Sequence, residues 1–197
     1  APIGLHLRRT IQSTPSSLVS DTLLNSGQAR IFRIVHRDNL PWLFKHGLHC
    51  RNSATQMPDY RAIGNPDLID KRRHHPVPVS PGGALGDYVP FYFTPWSKML
   101  FNIVTGRGVP RLPKEEIVFL VTNFHWLAKQ QQRFVFTDRH ALLNAANYYA
   151  ELADLRHIDW ALLQSRDFRL DPDDPEKGAR YQAEALVHSH LPITSLT

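Results

Sequence analysis

The sequence predicts an α+β domain in which strands alternate with short helices. About five to six runs are rich in β-branched and aromatic residues, capped helical segments follow several of them, and one long stretch has neither period. The 197 residues are enough for one domain with a sizeable core. We therefore expect one domain over residues 29–197. Residues 1–28 form a Ser/Thr-rich leader of unclear role, with partial order or a helix around residues 17–25.

Charge and cysteine content limit the classes of partner and compartment. The net charge is +5 and the pI is about 9.6, and a basic surplus favours a polyanionic partner such as nucleic acid. Cys50 is the only cysteine, so the chain has no internal disulfide and no cysteine-based zinc cluster, which fits a reducing cytoplasm. No apolar run reaches the roughly 18 residues of a membrane span. The histidines do not have convincing metal-ligand spacing, and we expect no metal.

The first clear strand and helix cover residues 30–46. Arg30–His36 is dense in β-branched and aromatic residues, and Asp38 or Asn39 can cap a helix over Leu40–His46. Gly47 then suits a position that needs a positive φ. His36 ends the strand, where it can either contact a ligand or remain a capped, partly buried histidine.

Residues 51–86 form the longest stretch without a helical or strand period. This stretch is rich in Pro and Gly, and residues 71–75 read Lys-Arg-Arg-His-His. A structureless segment of this length inside a domain is usually functional or disordered. We interpret it as a basic substrate and cofactor loop that meets phosphates, and the alternative is a solvated loop with surface charge.

Four further elements are predicted in the middle of the chain. Residues 87–93 form a strand, and the following helix runs over residues 96–105, where Gly106 ends it. Residues 133–137 form another strand, and Asp138 can cap a helix that reaches Tyr149. His140 would lie in the first turn of that helix, where its pKa tends to fall and its neutral form is favoured.

Glu184 lies in the middle of the last clear strand, residues 180–188. A carboxylate within an apolar strand is costly to bury unless it is paired or used. On spacing alone a solvated outer face is the more common explanation, since charged side chains are rarely fully buried. The other possibility is that Glu184 is the working residue of a cleft.

Taken together, several segments resemble the DarT family of DNA ADP-ribosyltransferases. The matching segments are residues 34–40 (IVHRDNL) with Gly47 and Leu48, residues 87–93 (DYVPFYF) with Met99 and Leu100, residues 136–141 (FTDRHA), and residues 181–187 (YQAEALV). They follow the family's order and spacing over roughly residues 30–197. Each segment alone is a weak signal, and the set is specific.

The resemblance implies a fold, a reaction and a partner. The fold is that of ADP-ribosyltransferases, a split and strongly bent mixed or antiparallel sheet with an NAD cleft between its halves and short flanking helices. Members of the family are toxins that transfer ADP-ribose from NAD to a base of single-stranded DNA. The base is thymine in one branch, which we expect here, and guanine in another. The antitoxin partner, DarG, carries a macrodomain that removes the mark.

The resemblance also implies roles for individual residues. Glu184 would be the catalytic glutamate, which stabilises an oxocarbenium-like ribose as nicotinamide leaves. Arg72, rather than its neighbour Arg73, would be the catalytic arginine. Cofactor contacts are expected from His36, Asn39, Gly47, Leu48, Tyr92, Met99 and His140. Nucleic-acid contacts are expected from Lys71, Arg73, His75 and Arg139, the last of which replaces a common glycine of the family.

Two other classes of function stay open at this point. The domain can be a nucleic-acid or NAD-nucleotide binding module without turnover. It can also be a transferase that acts on RNA, because the ribose and pyrophosphate chemistry would be the same. Transfer of label from NAD to an oligonucleotide, with Glu184 intact, separates these possibilities.

Overall fold

The computed structural model describes residues 24–197, so the predicted leader helix over residues 17–25 lies almost wholly outside the described residues. A six-stranded antiparallel sheet, in the order β4-β1-β3-β7-β5-β6, forms the centre of the domain, and β2 pairs with β8 beside it. The strands are β1 (Arg30–His36), β2 (Leu48–His49), β3 (Tyr88–Tyr92), β4 (Ile117–Asn123), β5 (Phe134–Thr137), β6 (Tyr148–Tyr149), β7 (Glu184–His188) and β8 (His190–Leu191).

Short helices flank this sheet, in agreement with the predicted α+β fold. The α-helices are α1 (Leu40–His46), α2 (Pro66–Arg72), α3 (Lys98–Thr105), α4 (Phe124–Lys129), α5 (Trp160–Ser165) and α6 (Lys177–Arg180). Single 3-10 turns cover Arg37–Asn39, Leu85–Asp87, Lys114–Glu116, Leu152–His157 and Ile193–Ser195. In the described part of the chain, no helix is long and apolar enough to cross a membrane.

The first strand and helix form where the sequence predicts them. β1 covers Arg30–His36 and α1 covers Leu40–His46. Gly47 ends α1 with a φ of +76°, which is the left-handed backbone that favours glycine. An added Cβ at Gly47 would lie 2.5 Å from Nε2 of His190 and 2.7 Å from the carbonyl oxygen of Leu191. The close approach of β8 therefore gives a second reason for glycine here.

Strand β7 lies in the interior of the sheet. Ala185, Leu186 and Val187 are fully buried between β3 and β5. On one face, the rings of Phe93, Phe124 and Phe136 pack edge to face or tilted, with centroids 5.6 to 6.0 Å apart. This aromatic packing fixes the sheet from which Glu184 projects.

The basic loop contains a helix that periodicity does not reveal. Within residues 51–86, the chain forms α2, Pro66–Arg72, and the Asn65 side chain caps it by accepting the N–H groups of Asp67 and Leu68. The prediction of a segment without helix is therefore wrong at this point. Seven residues are too few for a clear helical period, and the cap with its following proline carries the only local signal.

The predicted helix from Asp138 to Tyr149 is not formed. The groups that a helix would need make other hydrogen bonds instead. Asp138 accepts the backbone and side-chain N–H groups of Asn147, and the His140 N–H donates to the Ala179 carbonyl. The segment makes turns and ends in β6, which pairs with β5. Long-range partners thus override a local capping signal.

The closing strand is shorter than predicted and begins at Glu184. Residues 177–180 form α6, and residues 181–183 form a turn. Arg180 holds this segment in place, because its guanidinium pairs with Asp174 and Asp159 at 2.6 and 3.1 Å. The helix and its ion pairs deliver Glu184 to the sheet at the first position of β7.

Candidate active site

A cavity of about 660 Å³ lies on the β1-β3-β7 part of the sheet, within the usual range for ligand pockets. Five arginines and two carboxylates line it, so its charge favours anions. Apolar and aromatic side chains complete the wall. The lining includes Arg33, Trp42, Leu48, Tyr60, Arg72, Arg73, Tyr92, Met99, Asn102, Arg107, His140, Gln182 and Glu184.

Glu184 is buried inside this cavity and is fully engaged. Its side chain is 5% exposed, and it lies opposite Tyr92 in the β3–β7 register. Its Oε1 atom accepts the Ala141 N–H at 3.0 Å, and its Oε2 atom lies 2.7 Å from Nη1 of Arg72. The solvated outer face considered from spacing alone is therefore wrong. The carboxylate therefore has a hydrogen-bond donor or a cation at each of its two oxygens.

Arg72 is the last residue of α2 and brings the basic loop onto Glu184. Its side chain is 15% exposed, and its Nη2 atom is buried without a hydrogen-bond partner among residues 24–197. An orphaned guanidinium N–H is costly unless a ligand satisfies it. Arg73, the neighbouring candidate, is exposed and lines the cavity without reaching Glu184 in an ion pair. The geometry therefore favours Arg72 over Arg73 as the partner of the glutamate.

His140 lies beside Glu184, with 3.7 Å between Nδ1 and Oε1. Burial lowers the pKa of His140 and the negative charge of Glu184 opposes this, so the neutral form is favoured. The direction agrees with the sequence prediction, but the cause is burial rather than a helix N-terminus. Because Nδ1 accepts the Leu142 N–H at 3.2 Å, the neutral ring carries its proton on Nε2. That nitrogen can donate to a ligand.

Two tyrosines border the same carboxylate. Burial, followed by the charge of Glu184, raises the pKa of Tyr92 and of Tyr148 to about 12 in each case. The Tyr148 hydroxyl donates to the Ala141 carbonyl at 2.6 Å and so fixes the turn that holds Glu184. Both phenols therefore stay protonated near neutral pH, and Tyr92 presents its ring to the cavity.

Arg33 is a cavity residue that the sequence analysis missed. It is the half-buried position of β1, and its Nη1 atom donates to the Pro90 carbonyl at 2.8 Å. Within the described residues it forms no ion pair with a carboxylate. The available signal was a charge in the centre of an otherwise apolar strand, the same signal that drew attention to Glu184.

Three expected cofactor contacts, His36, Asn39 and Gly47, lie outside the cavity wall. His36 is fully buried, its Nε2 atom is 2.9 Å from Oε2 of Glu116, and its Nδ1 atom accepts the Asp38 N–H. Of the two alternatives for His36, a ligand contact or a capped and buried histidine, the structure shows the second. Asn39 is also buried and both donates to and accepts from the backbone of Arg61. Their cofactor contacts stay predictions, and the structure gives them supporting positions.

The other expected contacts divide in the same way. Leu48, Tyr92, Met99 and His140 line the cavity, as does Arg73 among the nucleic-acid candidates. Lys71, His75 and Arg139 do not line it, and Arg139 pairs with Glu176 at 2.8 Å and with Asp138 at 3.3 Å. Their contacts with nucleic acid stay predictions. In the described ranges, no group of three or more His, Cys, Asp and Glu residues could hold a metal ion.

A buried carboxylate opposed by an arginine in an anion-favouring cleft is suited to glycosyl transfer from a dinucleotide, and the comparisons identify the class. Residues 32–197 match the model of the family described as ssDNA thymidine ADP-ribosyltransferase, DarT. A DNA ADP-ribosyl transferase of Escherichia coli O127:H6 is 59% identical over 174 residues, which cover 88% of this chain and 80% of the relative. One from Thermus sp. strain 2.9 is 36% identical over 162 residues, with coverages of 82% and 76%.

Solved structures agree with the sequence relatives. The structure titled Thermus sp. 2.9 DarT in complex with ADP-ribosylated ssDNA superposes with a TM-score of 0.79 at 34% identity, covering 86% of this chain and 79% of that one. The NAD+ complex of the same protein gives a TM-score of 0.73 at 35% identity, with coverages of 86% and 79%. The chain belongs to the DarT family of DNA ADP-ribosyltransferases. The predicted ADP-ribosyltransferase fold is confirmed. The prediction that the chain is an enzyme, and not a binding module without turnover, is confirmed as well.

Proposed function

We propose that this chain transfers ADP-ribose from NAD to a thymine base of single-stranded DNA, as the toxin of a toxin–antitoxin pair. The observation that carries the proposal is the Glu184–Arg72 ion pair of 2.7 Å within the cavity. It places an anion able to stabilise a cationic ribose next to a cation able to stabilise an anionic base. The family description, which names thymidine, favours thymine over the guanine alternative.

The residues present fit an NAD molecule. The cavity of about 660 Å³ has the size of a dinucleotide site, and Arg33 and Arg73 line it as cations for a pyrophosphate. Trp42 and Met99 supply apolar surface for the rings. When bound, NAD supplies an ADP-ribosyl group that is activated by its positively charged nicotinamide leaving group. The cavity thus offers separate polar and apolar contacts for the two parts of the molecule.

Glu184 stabilises the ribose as the bond to nicotinamide breaks. Its carboxylate accepts a hydrogen bond from the ribose 2′-hydroxyl group and offsets the positive charge that develops on the ring. The Ala141 N–H fixes the direction of Oε1, so little reorganisation is needed. The electron pair of the broken C–N bond leaves with nicotinamide, which departs as a neutral molecule.

The new C–N bond forms at the thymine ring nitrogen that still carries a proton, because the other ring nitrogen holds the deoxyribose. The proton passes to the Glu184 carboxylate, since Arg72 is cationic and Nδ1 of His140 already accepts a hydrogen bond. Arg72 stabilises the negative charge that the base gains as the proton leaves. Its unpaired Nη2 atom provides a donor for that purpose.

The partner and the compartment follow from the family. A DarG-like antitoxin with a macrodomain would remove the modification, and this chain would act in the cytoplasm, where NAD and DNA are available. The single, buried Cys50 is compatible with that reducing compartment.

The test uses NAD labelled in the adenosine part and a panel of single-stranded oligonucleotides that each lack one base. We expect label on oligonucleotides that contain thymine, nicotinamide release in equal amount, and no label with Glu184→Gln. Glu176→Gln, which removes an exposed carboxylate that pairs with Arg139, is the matched control and should keep transfer. Label on the oligonucleotide that lacks thymine, and none on the one that lacks guanine, would overturn the base assignment. Labelled protein with unlabelled DNA would overturn the substrate class.

A further inference from the structure

Two exposed aromatic rings lie at the edge of the cavity and take no part in the reaction described above. Phe101 on α3 is 42% exposed and Phe168 is 47% exposed. Their ring centroids are 6.4 Å apart and their planes differ by 21°, so the rings are nearly parallel. Large apolar side chains that stay exposed as a pair indicate a binding surface more often than an isolated one does.

The pair is held in position rather than loosely exposed. Phe168 packs on the buried Tyr181 ring, with centroids 4.6 Å apart. The Arg166 guanidinium lies 3.4 Å from the centre of the Trp96 ring, which ties the segment that carries Phe168 to the start of α3. A rigid aromatic surface loses little conformational entropy when a planar ligand stacks on it.

The surface is continuous with the catalytic cavity. Asn102, which follows Phe101, and Arg107, whose guanidinium lies beside the Phe101 ring, line the cavity. Gln182, the neighbour of Tyr181, lines it too. At the other end of α3, the charge of Lys98 acts on His140. Lys98 and Phe101 are three residues apart on one helix face. A chain that leaves the Glu184 site along α3 therefore meets a lysine and then the two rings.

On the α3 side of this route, the charge favours a polyanion. Residues 88–114 contain four Lys or Arg residues and no Asp or Glu. The Arg107 guanidinium lies 5.7 Å from the Phe101 ring centre, which is a cation next to a stacking face. Aromatic faces along a basic path are how proteins bind single-stranded nucleic acid with little sequence preference.

We propose that Phe101 and Phe168, with Arg107 at the border of the NAD cleft, form a stacking site for nucleotides that flank the modified base. The inference rests on the proposed function, since it takes single-stranded DNA as the substrate. Phe101 and Phe168 stack on the flanking bases, and Arg107 pairs with a backbone phosphate. The site therefore adds affinity for longer strands without contact with NAD.

The test measures binding by fluorescence anisotropy in the absence of NAD, with Phe101→Ala, Phe168→Ala and the double variant. The labelled probes are a thymine-containing trinucleotide and a strand of about 16 nucleotides, which is at the upper end of common single-strand sites. We expect each variant to weaken binding of the long strand by about fivefold to 100-fold, with little change for the trinucleotide. Phe44→Ala is the matched control, because Phe44 is 60% exposed on α1 and does not line the cavity.

Further variants separate stacking from simple hydrophobic contact and from folding. Phe101→Tyr should keep wild-type affinity, and Phe101→Leu should weaken binding as alanine does. The Michaelis constant for NAD, measured by nicotinamide release, should stay unchanged in all of them. Equal affinity of the wild type and the double variant for the long strand would overturn the proposal. The proposal would also be overturned if the double variant lost self-association, or binding to a macrodomain protein, and kept its DNA binding.

The binding arm also separates this inference from the proposed function. If the wild type labels no oligonucleotide but the long strand still depends on the two rings, the proposed reaction fails and the stacking site stands. If labelling of thymine proceeds equally in the wild type and the double variant, with equal Michaelis constants for the long strand, the stacking site fails and the reaction stands.

Discussion

Nη1 of Arg72 lies 2.7 Å from Oε2 of Glu184, and this ion pair joins α2 to the first residue of β7. The two residues come from the basic loop and the closing strand, which are more than 100 residues apart in the sequence. Both side chains are largely buried, so removing either one would leave an uncompensated charge inside the protein.

Replacing Glu184 by Gln keeps the shape of the side chain and removes its charge. We expect transfer to fall by about 100-fold or more, because electrostatic stabilisation of the ribose is lost. We also expect a lower melting temperature, since Arg72 remains buried without its partner. Nicotinamide release and thermal unfolding measure the two effects. A variant that transfers ADP-ribose at the wild-type rate would contradict the role of Glu184.

The pair itself can be tested by a double-mutant cycle. Arg72→Gln alone should destabilise the protein, and adding it to Glu184→Gln should cost less than the sum of the single changes, because the two residues share one interaction. Lys71→Gln, at an exposed neighbouring position, is the control and should add independently. Full additivity of the Arg72 and Glu184 changes would mean that the ion pair contributes no coupling energy.

Three histidines predict the pH dependence of stability. Burial lowers the pKa values of His49, His140 and His188 below the ordinary value of 6.5. Between the lowered pKa and 6.5 the unfolded chain binds more protons than the folded one, so stability rises with pH in this window. We expect the melting temperature to fall as the pH drops below about 6.5, and to fall less in His140→Asn. The same slope in both proteins would contradict the buried neutral state of His140.

How far local sequence predicts this site depends on where each segment finds its hydrogen bonds. β1, α1 and Gly47 form as predicted, because the strand period and the glycine are local signals. The predicted cap is wrong: the Asn39 side chain makes no capping hydrogen bond to α1 and bonds to the backbone of Arg61 instead. The segment after Asp138 does not, because the His140 N–H donates to the Ala179 carbonyl and the Ala141 N–H to Glu184. No window of neighbouring residues contains those partners.

The candidate site shows the same division. Glu184 and Arg72 were found because their segments resemble a family in which they belong together. Arg33 was missed because the resemblance does not mark it, although a charge within an apolar strand is a physical signal by itself. His36 and Asn39 belong to a matching motif but lie in supporting positions, bonded to Glu116 and to the backbone of Arg61. A motif therefore identifies residues that matter to the site without separating contact from support.

Asn39 predicts a link between fold and cofactor affinity. Its amide donates to the Arg61 carbonyl and accepts the Arg61 N–H, at 3.0 and 2.9 Å, and so fixes the loop beside the cavity residue Tyr60. We expect Asn39→Ala to lower the free energy of unfolding by about 1–3 kcal/mol and to raise the Michaelis constant for NAD. Asn39→Asp keeps the acceptor and should cost less. An unchanged Michaelis constant for NAD in Asn39→Ala would show that the position of this loop does not depend on the two Asn39–Arg61 hydrogen bonds.

A comparison of Gly47, at the end of α1, with Gly82 distinguishes the cost of backbone strain from the cost of a steric clash. Both have a positive φ, +76° and +81°, but an added Cβ at Gly82 meets nothing within 4 Å, whereas at Gly47 it would lie 2.7 Å from the Leu191 carbonyl oxygen. We expect Gly82→Ala to cost about 1–2 kcal/mol from the left-handed backbone alone. Gly47→Ala should cost more, because β8 has to move away from α1. Urea unfolding of both variants measures the difference, and equal costs would mean that the backbone of β8 yields freely. Since β8 pairs with β2, which carries the cavity residue Leu48, Gly47→Ala should also weaken NAD binding, and Gly82→Ala should not.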